Sequence, residues 1–178
     1  MVKPRKSGPP TGAAAMYPST APAAPLWAAE ADAVFLADPA DPQTRIAQIR
    51  QGIPAAAVGH LSARMGISKE VMLASLGLPR ATISRKEKQA AVLSKDESER
   101  VLGFEVLIDT VQTMVAQSGD AASAAGQGGF DAAHWLAQWL THPLPALGGA
   151  TPASYMDTFE GQRLVGNLLV TMQTGAYA

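Results

Sequence analysis

The chain reads as an all-α protein, with a tri-helical helix-turn-helix unit, a long connecting helix and a small helical C-terminal module. Three observations predict this. Val101, Phe104, Ile108, Val111 and Val115 recur at alternating spacings of three and four, the apolar stripe of a long helix. Glycines, prolines and N-cap residues divide the rest into short helical lengths. No segment alternates apolar and polar residues as a strand does, and there is no internal repeat.

Residues 1–42 are rich in Ala and Pro. Pro blocks helix and Ala buries little surface, so ordering entropy is not recovered and a disordered arm is expected. Leu26, Trp27, Val34, Phe35 and Leu36 are the exceptions, either docking residues or local anchors. The helix-turn-helix unit spans 43–93. A short helix over Thr44–Arg50 should end at Gly52, and Pro54 suits the first turn of a helix running to Met65, closed by Gly66. Ser68 caps Lys69–Leu76, which Gly77 ends, and Pro79 opens RATISRKEKQA.

The long helix occupies 94–118. Ser94 and Glu97 form a capping box, each side chain serving the other's free N–H, and the helix behind them should reach Gln117. Leu102, Val106, Leu107 and Met114 make it apolar on more than one side, so it packs against two neighbours or a second copy of itself.

The C-terminal module, 119–178, begins in a small-residue linker. Phe130–Leu140 is a helix with Trp135 and Trp139 on one face, stopped by Pro143 and Pro145, and Gly148–Gly149 turns the chain. Thr151 caps a short turn with Pro152 at its first position. Asp157 caps the last helix, with Glu160 completing a second capping box. Phe159, Val165, Leu168, Leu169 and Met172 line its buried side, and Gly175 ends it.

Composition limits the chemistry. The 178 residues include no cysteine, which rules out disulfides and thiolate metal sites. A net charge of −1 hides an asymmetry. Arg80, Arg85, Lys86, Lys88 and Lys95 make the middle basic, while Asp120, Asp131, Asp157 and Glu160 make the end acidic, so different partners are expected for each. No apolar run approaches the roughly 20 residues that span a bilayer, and prolines interrupt any signal peptide, so a soluble cytoplasmic protein is expected. His60, His134 and His142 lack partners at metal-ligand spacing. There is no nucleophile elbow, P-loop or dinucleotide fingerprint, and capping accounts for Asp157 and Glu160. The expectation is a non-enzyme without metal or cofactor.

The basic stretch fits the second helix of a helix-turn-helix lying in the DNA major groove. Arg80, Thr82, Ser84 and Arg85 would reach bases or phosphates, and Lys86 and Lys88 the backbone. A solvated basic helix face explains the same residues. Arg85–Lys86 holds phosphate but reads guanine less well than two arginines would.

Two blocks together are more specific. GISKEVMLASLGLPRATISRKEKQAAVLSKDESERV and HWLAQWLTHPLPALGGATPASYMDTFEGQRLVGNLLVTMQTGAYA carry, in order, Trp139–Leu140, Pro143, Pro145, Leu147–Gly148–Gly149, Thr151–Pro152, Thr158, Gly161, Val165, Leu168 and Gly175. Over residues 46–178 the chain resembles the Xre/MbcA/ParS family of type II antitoxins. The resemblance implies a neighbouring toxin of the RES or ParT type, with an ADP-ribosyltransferase-like fold, that consumes NAD or uses it to modify a target. It implies that the C-terminal module covers the toxin's active site through Trp135, Trp139, Leu147, Gly148, Gly149, Thr151, Pro152, Thr158, Glu160, Gly161 and Arg163. Gly175, Ala176, Tyr177 and Ala178 would form a tip that enters the site, the alternative being a frayed terminus. It further implies a homodimer, a higher-order toxin–antitoxin complex and repression of its own operon through operator DNA. A stand-alone dimeric DNA-binding regulator is the alternative reading.

Overall fold

The computed structural model describes residues 41–117 and 129–173. The arm before Asp41, the linker over 118–128 and the tip Gly175–Ala178 lie outside the described residues.

Helix α1 is Pro42–Gln51. It starts two residues before Thr44 because the Asp41 carboxylate accepts the N–H groups of Gln43 and Thr44, at 3.1 and 3.0 Å. Gly52, at φ 80°, ends it. The helix expected from Pro54 begins only at Ala57, as α2, Ala57–Arg64. Pro54 instead bridges antiparallel to Val92. Around it Ala55 N–H donates to Ala91 (3.1 Å) and Leu93 N–H to Ile53 (2.8 Å), a pairing that asks no N–H of the proline.

Helix α3, Lys69–Ser75, is capped by the Ser68 hydroxyl, and α4 is Arg80–Lys88. The latter stops short of Ala90, whose φ of 48° is left-handed; Ala91 N–H then reaches back to the Lys86 carbonyl at 2.8 Å. Helix α5 is Lys95–Gln117, and its capping box forms, with Ser94 N–H on the Glu97 carboxylate and Glu97 N–H on the Ser94 hydroxyl. Helix α6 is Ala132–Trp139, capped by Asp131. Two 3₁₀ turns, Pro145–Leu147 and Pro152–Tyr155, lead to α7, Phe159–Gln173.

Two caps differ from expectation. Thr158, not Asp157, caps α7, its hydroxyl accepting the Gly161 N–H at 3.1 Å. No capping box forms there, because the third helical position is Gly161 and Glu160 turns to Arg163. A Cβ on Gly161 would overlap the Tyr155 carbonyl oxygen, so that position admits no side chain. The Thr151 hydroxyl caps nothing; its carbonyl accepts from the Ser154 N–H and hydroxyl, at 3.1 and 2.6 Å.

The core is built on α5, which contacts α1, α2, α6 and α7. Val101, Phe104, Ile108 and Val111 are 0–2% exposed, and Leu102 and Leu107 on its other side are also buried. One chain therefore covers the stripe from Val101 to Val111, while Val106 and Met114 on the other side are half-buried. Phe159 and Met172 are not in the core; they are 59% and 44% exposed.

Helix α7 runs parallel to α5 at close range. Gln162 faces Gly103, Gly166 faces Leu107, and the Gln173 amide donates to Gln117 at 3.2 Å. A Cβ on Gly103 would overlap the Gln162 side-chain oxygen. The buried Gln162 amide nitrogen donates to the carbonyls of Arg100 and Met156, both at 2.9 Å, tying α7 to α5 and to the preceding turn.

Gly103→Ala should lower stability by about 1–3 kcal/mol through overpacking, although Ala gains roughly 1 kcal/mol over Gly in a helix interior. In a Gln162→Ala background the same change should be neutral or stabilising. Urea denaturation of the two single variants and the double variant measures this reversal of sign.

Candidate functional site

Two surfaces hold the residues singled out above. The first lies on the C-terminal module. Trp135 stacks on Trp139, rings 6.1 Å apart and 12° from parallel, and Phe130 tilts against Trp135 at 6.1 Å. Trp139 and Leu140 are buried, and Ala153 N–H donates to the Leu140 carbonyl at 3.0 Å, fixing the second 3₁₀ turn to the end of α6. The intervening loop closes on itself. Leu144 N–H donates to Ala150 (3.1 Å), Gly149 N–H to Leu144 (3.0 Å) and Gly148 N–H to Pro145 (2.9 Å). Gly148 and Gly149 have φ of 63° and 87°, conformations that glycine adopts without strain, and nothing packs where their side chains would be.

This loop stands beside α7. Leu144, Pro145 and Ala146 on one side and Leu168 and Met172 on the other line an apolar groove of about 400 Å³. The groove joins the loop to the C-terminal end of the helix. Pro145, Ala146 and Met172 were not among the candidates read from sequence as contacts. Met172 fits a core position by spacing, and only the placement of the loop shows that it faces outward.

The expected contact residues separate into groups. Gly148, Gly149, Thr158, Glu160 and Arg163 are exposed, Trp135, Leu147 and Thr151 half-buried, and Trp139, Pro152 and Gly161 buried. Glu160 and Arg163 pair with each other away from the groove. The Arg163 hydrogen bond holds the Glu160 carboxyl below the usual carboxylate range, and Glu160 in turn raises Arg163.

The second surface is the helix-turn-helix pair α3 and α4, joined through Gly77 at φ 61°. Its cations are partly spoken for. Arg80 lies 3.3 Å from Glu70, Lys69 pairs with Glu87, and Lys86 pairs with Glu97. Lys86 is half-buried in that pair, so a phosphate would have to compete with Glu97 for it. Burial alone would raise the Glu97 carboxyl, but Lys86 and the Ser94 N–H together carry it below the usual range. The stabilisation from Glu97 is thus present above the unfolded carboxylate range and is lost as pH falls through the lowered folded value. Arg85 and Lys88 are exposed and carry no ion pair among the described residues, and Thr82 and Ser84 are half-buried.

The two surfaces are joined. The Arg100 guanidinium of α5 donates to the carbonyls of Leu76 and Gly77 at the end of α3, at 2.8 and 3.3 Å, while its own carbonyl accepts from Gln162. Asp157 lies against Gly77, and His134 against Gly66. Arg64 pairs with the buried Glu105 across α2 and α5, where burial raises the Glu105 carboxyl more than Arg64 lowers it. Among the described residues no cluster of three His, Asp or Glu side chains has the spacing to hold a metal, and no helix is long and apolar enough to cross a membrane.

Residues 44–104 match the antitoxin Xre-like helix-turn-helix domain, and residues 129–175 the antitoxin Xre/MbcA/ParS C-terminal toxin-binding domain. The chain is 39% identical over 146 residues to the "Prs ADP-ribosylating antitoxin" of Sphingobium sp. (strain YBL2), covering 82% of this chain and 86% of that one. The chain belongs to the Xre/MbcA/ParS family of antitoxins. It is an antitoxin of a toxin–antitoxin system. The groove between the Leu144–Ala150 loop and α7 lies within its toxin-binding domain, and α3 and α4 within its helix-turn-helix domain.

The ion pairs of α4 separate structural from solvent-facing cations. Lys86→Ala should cost the antitoxin about 1 kcal/mol of stability at neutral pH by stranding Glu97. Lys88→Ala should stay within about 0.5 kcal/mol. Thermal unfolding of both variants at pH 7 checks the contrast.

Proposed function

We propose that this antitoxin neutralises a toxin of the RES/ParT type by covering its active site with the face made by the Leu144–Ala150 loop and α7. One observation carries the reading: an exposed apolar groove, set on a loop rigidly closed by its own hydrogen bonds, inside the toxin-binding domain. A surface already shaped before contact loses little entropy on binding. Trp139, Pro152 and Gly161 hold its shape from within. Trp135, Leu147, Gly148, Gly149 and Thr151 belong to the contact face or its margin. Residues Gly175–Ala178, one residue beyond the groove end of α7, serve as the tip that enters the toxin. The name of the Sphingobium relative favours ADP-ribosylation over NAD degradation as the toxin's reaction. The antitoxin itself performs no catalysis in this reading.

It also represses its own operon, with α4 in the major groove of operator DNA. Arg85 and Lys88 are the free cations there, Arg80 can leave its exposed pair with Glu70, and Thr82 and Ser84 flank them. The homodimer and higher-order toxin complex use surfaces other than the α5 stripe, which one chain already covers. Arg85→Ala should weaken operator binding and reduce the salt slope by about one, whereas Lys86→Ala should leave that slope unchanged once the loss of stability is allowed for.

Toxin binding has its own test. Met172→Asp, at an exposed position, should weaken toxin affinity by about 2 kcal/mol, roughly 30-fold, without unfolding the protein. Removing residues 175–178 should impair neutralisation in co-expressing cells, with ADP-ribosylated protein accumulating. Normal growth and unmodified cell protein with both changes combined would refute this face. Full operator repression together with no measurable toxin binding by the unaltered protein would leave the stand-alone regulator.

A further inference from the structure

A second apolar groove, of about 330 Å³, lies on the other side of α7, between that helix and α1. Its floor is Leu102, Val106 and Leu107 of α5, and its walls include Ile49 of α1 and Phe159 and Val170 of α7. Phe159 is 59% exposed, Val170 48% and the neighbouring Ile46 46%. Large apolar side chains gathered at one groove mark a surface that something covers. The toxin-facing groove at Leu144–Met172 shares no lining residue with it.

We propose that the occupant is this chain's own N-terminal arm, with residues 26–36 seated between α1 and α7. The described chain begins at Asp41, the cap of α1, and Arg45 one turn further on lines the groove. The described chain thus starts one turn before a groove-lining residue. From Leu36 to Asp41 an extended chain reaches about 17 Å. The groove wall from Phe159 to Val170 is roughly 16 Å long, and residues 27–36 wound as helix would span about 14 Å.

The arm's sequence suits the place. LWAAEADAVFLAD, residues 26–38, contains no proline, unlike the stretches on either side of it. Trp27, Ala31, Val34 and Phe35 recur at spacings that put them on one helical side. The segment carries Glu30, Asp32 and Asp38 and no base. The charged groups lining the groove are Arg45, Glu99 and Arg163, of which Arg163 is engaged by Glu160. Arg45 is thus the cation left for the arm's acids, and apolar contact provides most of the attachment. Docking there buries the exposed margin of α7 and leaves the opposite margin open.

The chain has no cysteine, so introduced pairs report without background. Phe35→Cys is combined with Val170→Cys, and separately with Phe159→Cys, in the full-length protein under mild oxidation. Both α7 positions are exposed, so the core is untouched, and circular dichroism confirms folding. The expected result is a disulfide within one chain for at least one pair, in more than half the molecules. It should fall at least fivefold when Trp27→Ser and Val34→Ser are added. Cross-linking no greater than for Phe35→Cys with the distant Ser154→Cys would overturn the proposal. Covalent dimers would overturn it in favour of a second copy's arm. Protection of the thiol at position 170 from a maleimide only after toxin is added would overturn it in favour of the toxin.

Discussion

The close approach of α7 to α5 is the constraint on which the rest of the molecule depends. Two parallel helices come together here because Gly103 and Gly166 offer no side chain at the contact. The Gln162 amide fills the space over Gly103 and takes two backbone carbonyls, one from each element it must hold together. Its oxygen has no hydrogen-bond partner among the described residues, a cost tolerated because the packing excludes alternatives. Helix α7 is thereby fixed in rotation. One edge, Leu168 and Met172, faces the groove beside the Leu144–Ala150 loop; the other, Phe159 and Val170, faces the groove toward α1. A small rotation would destroy both grooves.

The same contact ties the toxin-binding domain to the helix-turn-helix domain. Arg100 holds the C-terminal carbonyls of α3 with its guanidinium and receives Gln162 with its carbonyl. Glu97, one turn earlier, caps α5 and holds Lys86 of α4. The first two turns of α5 thus carry the attachments of both domains. Asp157 set over the Gly77 turn and His134 against Gly66 pack the two domains against each other. The arrangement gives the toxin-binding and helix-turn-helix domains a fixed relative geometry.

Much of this was legible in the residues. The Ser94–Glu97 box, the Ser68 cap, the Gly77 turn and the 101–111 stripe each rest on local rules that the structure obeys. What escaped were choices made by tertiary contact. Asp157 and Thr158 are both good caps, and the backbone selected Thr158 because the chain lies against Tyr155 at Gly161. Pro54 opens helices elsewhere, but here Val92 pairs with it. Gln162 reads as a surface residue in any periodicity analysis, since nothing nearby in sequence reveals that it faces Gly103. The pairing of Lys86 with Glu97 was not legible either, since it spans two helices. Phe159 and Met172 match the helical spacing of core residues, and only the positions of α1 and the 144–150 loop turn them outward. The family match fixed the toxin-binding domain, but its marked residues mix exposed positions with buried supports.

The central claim is that one edge of α7 and the loop beside it form the toxin-facing surface. Hydrogen–deuterium exchange of the antitoxin, free and bound to its toxin, tests this directly. The account predicts slowed exchange in residues 144–150 and 165–173 on binding, with α4 unchanged. Protection confined to α4 or α1, with the 144–150 loop exchanging as fast as in the free protein, would contradict it.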